Sequence, residues 1–183
     1  MKFVFLTATV GSILNSLLPG YQIRLGSTVD RALLVKFMQQ TYQDMFPDQD
    51  FSHLARTVEQ YLSTDTPLWW VNAETQSVEK LGGGGNFPLY PTPVACLWVG
   101  NAVDQVQGDR HAHIFLLYVV PEYRRRGIGT ALMHYVENWA TQRGDRQIGL
   151  QVFQSNKPAL NLYHQLGYQT QSLWMLKSLY PEK

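Results

Sequence analysis

Residues Val119 to Met133 read VVPEYRRRGIGTALM, and the rest of the chain is organised around them. The stretch has the form of a strand end, a turn at Pro121, three arginines, and a Gly-Ile-Gly that opens a helix. Backbone N–H groups at a helix start have no intrahelical partner, and the helix dipole favours negative charge there. Glycines let a ligand approach the backbone closely. Arginines add forked donors suited to phosphate. The stretch therefore predicts a pyrophosphate cradle, and the flanking sequence must say what carries the phosphate.

Upstream, His111 to Val120 is almost wholly apolar after His113, which predicts a central, buried strand. Downstream, Ile128, Ala131, Leu132, Tyr135, Val136, Trp139 and Ala140 recur at helical spacing, with Gly144 as the stop. Ile148, Leu150 and Val152 alternate with polar or small residues as a further strand. Strand, helix, strand in this order predicts a parallel pair with a right-handed crossover. That puts the cradle at the C-terminal edge of the sheet, where open α/β sheets bind ligands. Asn156, Lys157 and Pro158 start another helix ending at Gly167, and Tyr168 to Leu179 reads as one long strand or two short ones.

The first half reads more coarsely. Tyr21 to Ser27 is a strand, a helix runs from Thr28 or Asp30 to about Met45, and a second covers roughly Phe51 to Leu62. LWWVNAE and VACLWVGNAVD are strands. Between them, Gly82 to Gly85 and the prolines after them predict a loop without a phosphate role, since no helix follows. The order β-α-α-β-β-β-α-β-α-β predicts one mixed α/β domain over residues 1–183.

With 183 residues, there is room for one proper core. A net charge of +1 excludes a chain that binds nucleic acid by bulk charge, and no nucleic acid or membrane partner is expected. The lone Cys96 cannot form an internal disulfide and sits in an apolar run, so it reads as a core residue in a cytoplasmic protein. No metal site is expected. The start, MKFVFLTATVGSILNSLL, has Lys2 as its only charge. It resembles a signal-peptide core but lacks a clear cleavage site, and it is short and broken for a span of ~20 residues. Residues 1–20 are read as an extra apolar element packed on the domain.

The residues from 124 to 129, RRRGIG, match the R/Q-x-x-G-x-G/A signature of the GCN5-related N-acetyltransferase (GNAT) superfamily. A second block, LQVFQSNKPALNLYHQLGY from Leu150 to Tyr168, resembles its strand-Asn-helix and Leu-Tyr-x-x-Leu-Gly-Tyr/Phe motif. Together the motifs cover about Ile114 to Tyr168; the first half resembles the family only in its layout. A dinucleotide fold would want Gly where Arg124 stands, and a Walker loop wants an absent Gly-Lys-Ser/Thr.

The resemblance implies a GNAT-like fold: a mixed, mostly antiparallel sheet with a splayed parallel central pair and flanking helices. It also implies acetyl-coenzyme A as cosubstrate. In the family, the backbone of this turn holds the pyrophosphate, here Arg124, Arg125, Arg126, Gly127, Ile128, Gly129 and Thr130. The pantetheine arm is implied to pair with Leu117, Tyr118 and Val119 like an added strand, and an N–H near Val119 to polarise the thioester carbonyl. Asn156 matches a residue that orients the coenzyme, and equally fits a helix cap. Tyr163 matches the tyrosine that protonates the leaving thiolate, and equally fits a core aromatic.

Many family members carry a carboxylate base on the fourth strand, but HAHIFLLYV has none. His113 stands where histone acetyltransferases have Glu, and the segment resembles arylalkylamine N-acetyltransferases, which use histidine. Imidazole titrates near neutrality and suits proton removal. His111 shares its strand face, and either histidine also fits a solvent-facing strand end. An acceptor pocket is expected between the first two helices and the splayed strands, near Asp44, Phe46, Asp48, Trp69 and Trp70. These also read as core aromatics and a solvated acidic loop.

The expected activity is acetyl transfer to a small-molecule or peptide amine by direct attack. The missing carboxylate keeps a non-catalytic coenzyme A-binding module as the alternative; a nucleic-acid patch at the arginines is weaker. A homodimer is compatible with the exposed ends of the sheet.

Overall fold

The computed structural model describes residues 15–74 and 92–179. The Gly82 to Gly85 loop and most of the apolar start lie outside the described residues. The chain divides into two compact units, Met1–Gln151 and Val152–Lys183.

The first unit carries a six-stranded sheet in sequence order. Its strands are β1 (Asn15–Leu18), β2 (Tyr21–Leu25), β3 (Leu68–Ala73), β4 (Ala95–Val103), β5 (Arg110–Val119) and β6 (Ile148–Leu150). Every neighbouring pair is antiparallel except β5 and β6, which are parallel. The sequence missed β1; the end of the apolar start pairs with β2. Helices α1 (Arg31–Gln43) and α2 (Leu54–Tyr61) precede β3, and α3 (Ile128–Gln142) crosses from β5 to β6.

The apolar periodicity explains the layers. One core cluster joins Leu34, Phe37 and Met38 of α1 with Leu54 and Val58 of α2. Facing them are Leu68 and Trp70 of β3, Cys96 and Trp98 of β4, and Leu116 and Tyr118 of β5. On the other face Trp69 packs edge-on against Tyr135 and Trp139 of α3, at 5.5 and 5.4 Å between ring centroids. Alternation along β3 thus sends one tryptophan to each layer. Both are buried; Trp70 faces α1 and α2, whereas Trp69 faces α3, away from the side on which an acceptor pocket was expected. Burial also pushes the Cys96 thiol far up, which leaves it inert as a nucleophile.

The second unit contains α4 (Lys157–Gln165). Asn156 caps it, its side-chain oxygen accepting from Ala159 N at 3.2 Å, and Pro158 lies in the first turn. The strand expected over Tyr168 to Leu179 does not form among the described residues. The run SLWMLKSL sets four apolar residues in a row without alternation. A strand also exists only by pairing, and without it Trp174 is left 75% exposed.

Candidate functional site

Strand β5 leads into the site. Its ladder with β6 is three residues long, Ala112 to Ile114 against Ile148 to Leu150. From Phe115 to Val119 the edge has no partner strand on that side among the described residues. The opposite edge of β5 stays paired with β4 throughout.

A bulge lies within this strand. Ile114 faces Val99 and Leu116 faces Trp98, so Phe115 is an extra residue. Simple alternation would place His113, Phe115, Leu117 and Val119 on one face. The bulge instead keeps His113 and Phe115 on the side of α1 and α2. Leu117, opposite Leu97, turns to the side of α3. Phe115 packs against Trp98, Tyr61 of α2 and the His113 ring, at 5.0, 6.0 and 5.8 Å. Gly100, opposite His113, makes room, since a Cβ there would lie 2.2 Å from the Phe115 ring.

Pro121 to Tyr123 form one 3-10 turn, after which the chain reaches the arginines. Arg125 adopts φ +63° and Gly127 φ +83°. The left-handed region is costly for a residue with a Cβ, so Arg125 is a strained point of the turn. Gly127 caps α3, whose start has no side-chain cap bond; the first intrahelical donor is Ala131 N, to Gly127 O at 2.9 Å. The N–H groups of Ile128, Gly129 and Thr130 therefore form the open donor set of the helix start. The Ile128 side chain is buried, leaving only its backbone for a ligand.

The three arginines are not equivalent. Arg124 folds back: its Nε donates to Val119 O at 2.9 Å, its guanidinium pairs with Asp44, and it lies 5.4 Å over the Tyr118 ring. Tyr118 also donates to Asp44, at 3.4 Å. Burial, together with the Asp44 charge, raises the Tyr118 phenol above its ordinary value. Arg126 donates to Glu122 O at 2.9 Å and lies 5.0 Å over the Tyr123 ring. Arg125 is exposed. Sequence reasoning assigned all three to phosphate; Arg124 and Arg126 spend donors on the protein itself. The Val119 carbonyl, in the stretch expected to pair with the pantetheine arm, accepts from Arg124.

His113 is half-buried on β5, opposite Gly100 of β4 and Gly149 of β6. Burial first, and the neighbouring His111 second, hold its imidazole below the ordinary range. It is neutral at neutral pH and has a lone pair to accept a proton. In the second unit, Tyr163 is buried, packs 5.9 Å from Tyr168, and has its phenol raised by burial, so it carries its proton at neutral pH. Asn156 spends its side-chain oxygen on the α4 cap. Asp44 is tied to Arg124, and Phe46 packs on the core. Among the described residues no cluster of His, Cys, Asp or Glu could hold a metal ion.

Sequence reasoning missed the Phe115 bulge, which has no signature in HAHIFLLYV. It also missed Asp44 as the partner of Arg124, a contact 80 residues apart in the chain.

A family model described as "Acetyltransferase (GNAT) family" matches residues 35–168. An uncharacterized N-acetyltransferase of Methanocaldococcus jannaschii is 36% identical over 74 residues, 40% of this chain and 31% of the relative. A thialysine N-epsilon-acetyltransferase of Mus musculus is 34% identical over 96 residues, 52% of this chain and 48% of the relative. The chain thus spans about half, or less, of the length of these relatives. Among solved structures, a predicted acetyltransferase with acetyl-CoA from Clostridium acetobutylicum superposes with TM-score 0.65 at 18% identity. That match covers 87% of this chain and 96% of the other.

Proposed function

The chain belongs to the acetyltransferase (GNAT) family, and from that premise we propose that it moves an acetyl group from acetyl-coenzyme A to an amine by direct attack. One observation carries the reading: the start of α3, which has no side-chain cap bond, lies one short turn beyond a β5 edge with no partner strand among the described residues. The first offers N–H donors and a positive dipole end to a pyrophosphate. The second offers its outward backbone, apart from the Val119 carbonyl that Arg124 holds, to the amides of a pantetheine arm. Residues Arg124 to Thr130 would hold the one and Leu117 to Val119 the other. Arg125 supplies the cationic side chain, and Arg124 and Arg126 brace the turn. Asn156 both caps α4 and orients the coenzyme.

When bound, acetyl-coenzyme A supplies an acetyl group activated as a thioester. The protein supplies the proton transfers. An alkylammonium has no lone pair, so His113, neutral at working pH, accepts its proton. A backbone N–H near Val119 stabilises the charge that develops on the carbonyl oxygen. Tyr163, protonated, donates to the departing thiolate.

The family match spans both compact units, which supports residues 1–183 acting as one acetyltransferase domain. The acceptor is a small-molecule or peptide amine; the Mus musculus relative is named for one such amine. A cytoplasmic location is proposed from the lone cysteine and from the cosubstrate. No helix among the described residues is long and apolar enough to cross a membrane.

Isothermal titration with acetyl-coenzyme A comes first, and absence of binding would overturn the reading. Thiol release with a panel of amines then separates an enzyme from a module that only holds the coenzyme. Tyr163→Phe should retain binding and lower kcat on the order of 10²-fold, the range of general acid catalysis. Unchanged turnover would remove Tyr163 as the acid.

A further inference from the structure

The last carbonyl of β5 is held by a side chain: Val119 O accepts from Arg124 Nε at 2.9 Å. The ladder on the far side of the strand shows which groups of this edge face outward. Val120 N donates to Val94 O at 2.9 Å, and Val99 N donates to Pro67 O, on the β3 side, at 3.0 Å. Bonded and non-bonded pairs alternate along an antiparallel ladder. Ala95 and Leu97 therefore turn their N–H and C=O toward β3, and their partners Val119 and Leu117 turn theirs away from β4. From the bulge toward the turn, the outward groups are the Leu117 N–H, the Leu117 C=O, the Val119 N–H and the Val119 C=O. Arg124 takes the fourth of these.

Arg124 is itself held in place. Its guanidinium pairs with Asp44, just past the end of α1, and lies 5.4 Å over the Tyr118 ring. The Tyr118 phenol donates to the same Asp44 oxygen at 3.4 Å. A chain that adds to a strand edge uses successive outward N–H and C=O groups. A bare edge offers the same pattern at every repeat, so such a chain can slide along it. A carbonyl already engaged by a guanidinium makes a charge-assisted bond, stronger than the one a neutral amide offers.

We propose that Arg124 is a positioning residue that closes the outward edge of β5 at Val119, so that a pantetheine arm pairs only with the Leu117 groups and the Val119 N–H. Arg124 then acts on the register of the arm, not on the phosphate. Asp44 and Tyr118 act through it, by keeping the guanidinium turned back onto the strand. The meaning for a pantetheine arm rests on the acetyltransferase reading; the clamp on the Val119 carbonyl does not.

The test is carbonyl ¹³C NMR of Leu117 and Val119 in the full-length protein, free and with acetyl-coenzyme A, in wild type, Arg124→Met and Arg124→Lys. The Arg124 side chain is 44% exposed, so both variants should fold. Without ligand, Arg124→Met should move the Val119 carbonyl upfield, as loss of a donor does. Arg124→Lys keeps a donor and should return it toward the wild-type position. Acetyl-coenzyme A should then move the Leu117 carbonyl but not the Val119 carbonyl in wild type, and both in Arg124→Met. Calorimetry and turnover give a second readout. Arg124→Met should change the Kd for acetyl-coenzyme A only severalfold while kcat falls on the order of 10²-fold, the cost of misplaced reacting groups, and Arg124→Lys should recover most of that loss. A Val119 carbonyl that ignores Arg124→Met, one that moves in wild type when acetyl-coenzyme A is added, or a kcat that holds while Kd collapses would overturn the proposal. Wild type that binds no acetyl-coenzyme A would instead end the acetyltransferase reading, and the spectra of the free protein would still decide the clamp.

Discussion

Two residues on facing strands carry opposite demands on space. Gly100 has no side chain because the Phe115 ring occupies that volume, 2.2 Å from where a Cβ would stand. Gly100→Ala should therefore destabilise the protein by about 1–3 kcal/mol through overpacking. Phe115→Ala in the same chain should return most of that loss, because the two sites share one volume. Chemical denaturation of the four proteins of the cycle checks both statements, and additive losses would show that the ring swings clear. His113 carries a pH signature. Its folded-state value is depressed by burial and by His111, whereas an unfolded histidine titrates at about 6.5. The folded state binds fewer protons, so this contribution is fully present above about pH 6.5 and is lost as pH falls through the folded value. His113→Gln should flatten the fall in Tm between about pH 7.5 and 5.5 relative to wild type, and Tm measured across that range tests it.

At the scale of elements, the arginine turn is fastened to the end of α1 rather than left to its own sequence. Asp44, just past the end of α1, binds both Arg124 and Tyr118. The pair is half exposed, so its own contribution to stability is about 0.2–1 kcal/mol. Its larger consequence is the shape of the turn. Asp44→Asn should weaken acetyl-coenzyme A binding severalfold while Tm moves little; calorimetry that finds an unchanged Kd would show the turn holds without α1. Helix α4 depends on a single cap. Asn156→Ala removes the acceptor for Ala159 N and should cost about 0.5–2 kcal/mol. Asn156→Asp keeps that acceptor and should lose little, a contrast that thermal unfolding resolves.

For the whole molecule, the exposed apolar residues from Leu173 to Leu179 matter most. Leu173, Trp174, Met175, Leu176 and Leu179 are all exposed, a contiguous apolar surface beyond the scattered residues normal on a monomer. Sedimentation velocity should show self-association that grows with concentration and is reduced in Trp174→Ser/Leu176→Ser. A monomer at all concentrations would show that this surface drives no association.

Much of this architecture is local and therefore legible in one dimension. The apolar period of α3, the Pro121 turn, the Gly127 cap and the Asn156-Lys157-Pro158 helix start each follow from residues within a few positions of one another. So the turn, the crossover and the family resemblance could be read directly. What could not be read depends on contacts between distant residues. Arg124 looks like a phosphate ligand until Asp44 and the Val119 carbonyl claim it. Trp69 and Trp70 look like a pocket until the sheet divides them between two layers. His113 changes neighbours at a bulge that pairing with β4 creates. By itself, the sequence determined the Pro121 turn, the Gly127 start of α3 and the family, because helix starts and turns are built from near neighbours. Only the tertiary structure decided which arginine is free and which face His113 looks to, because those depend on which strands and helices meet.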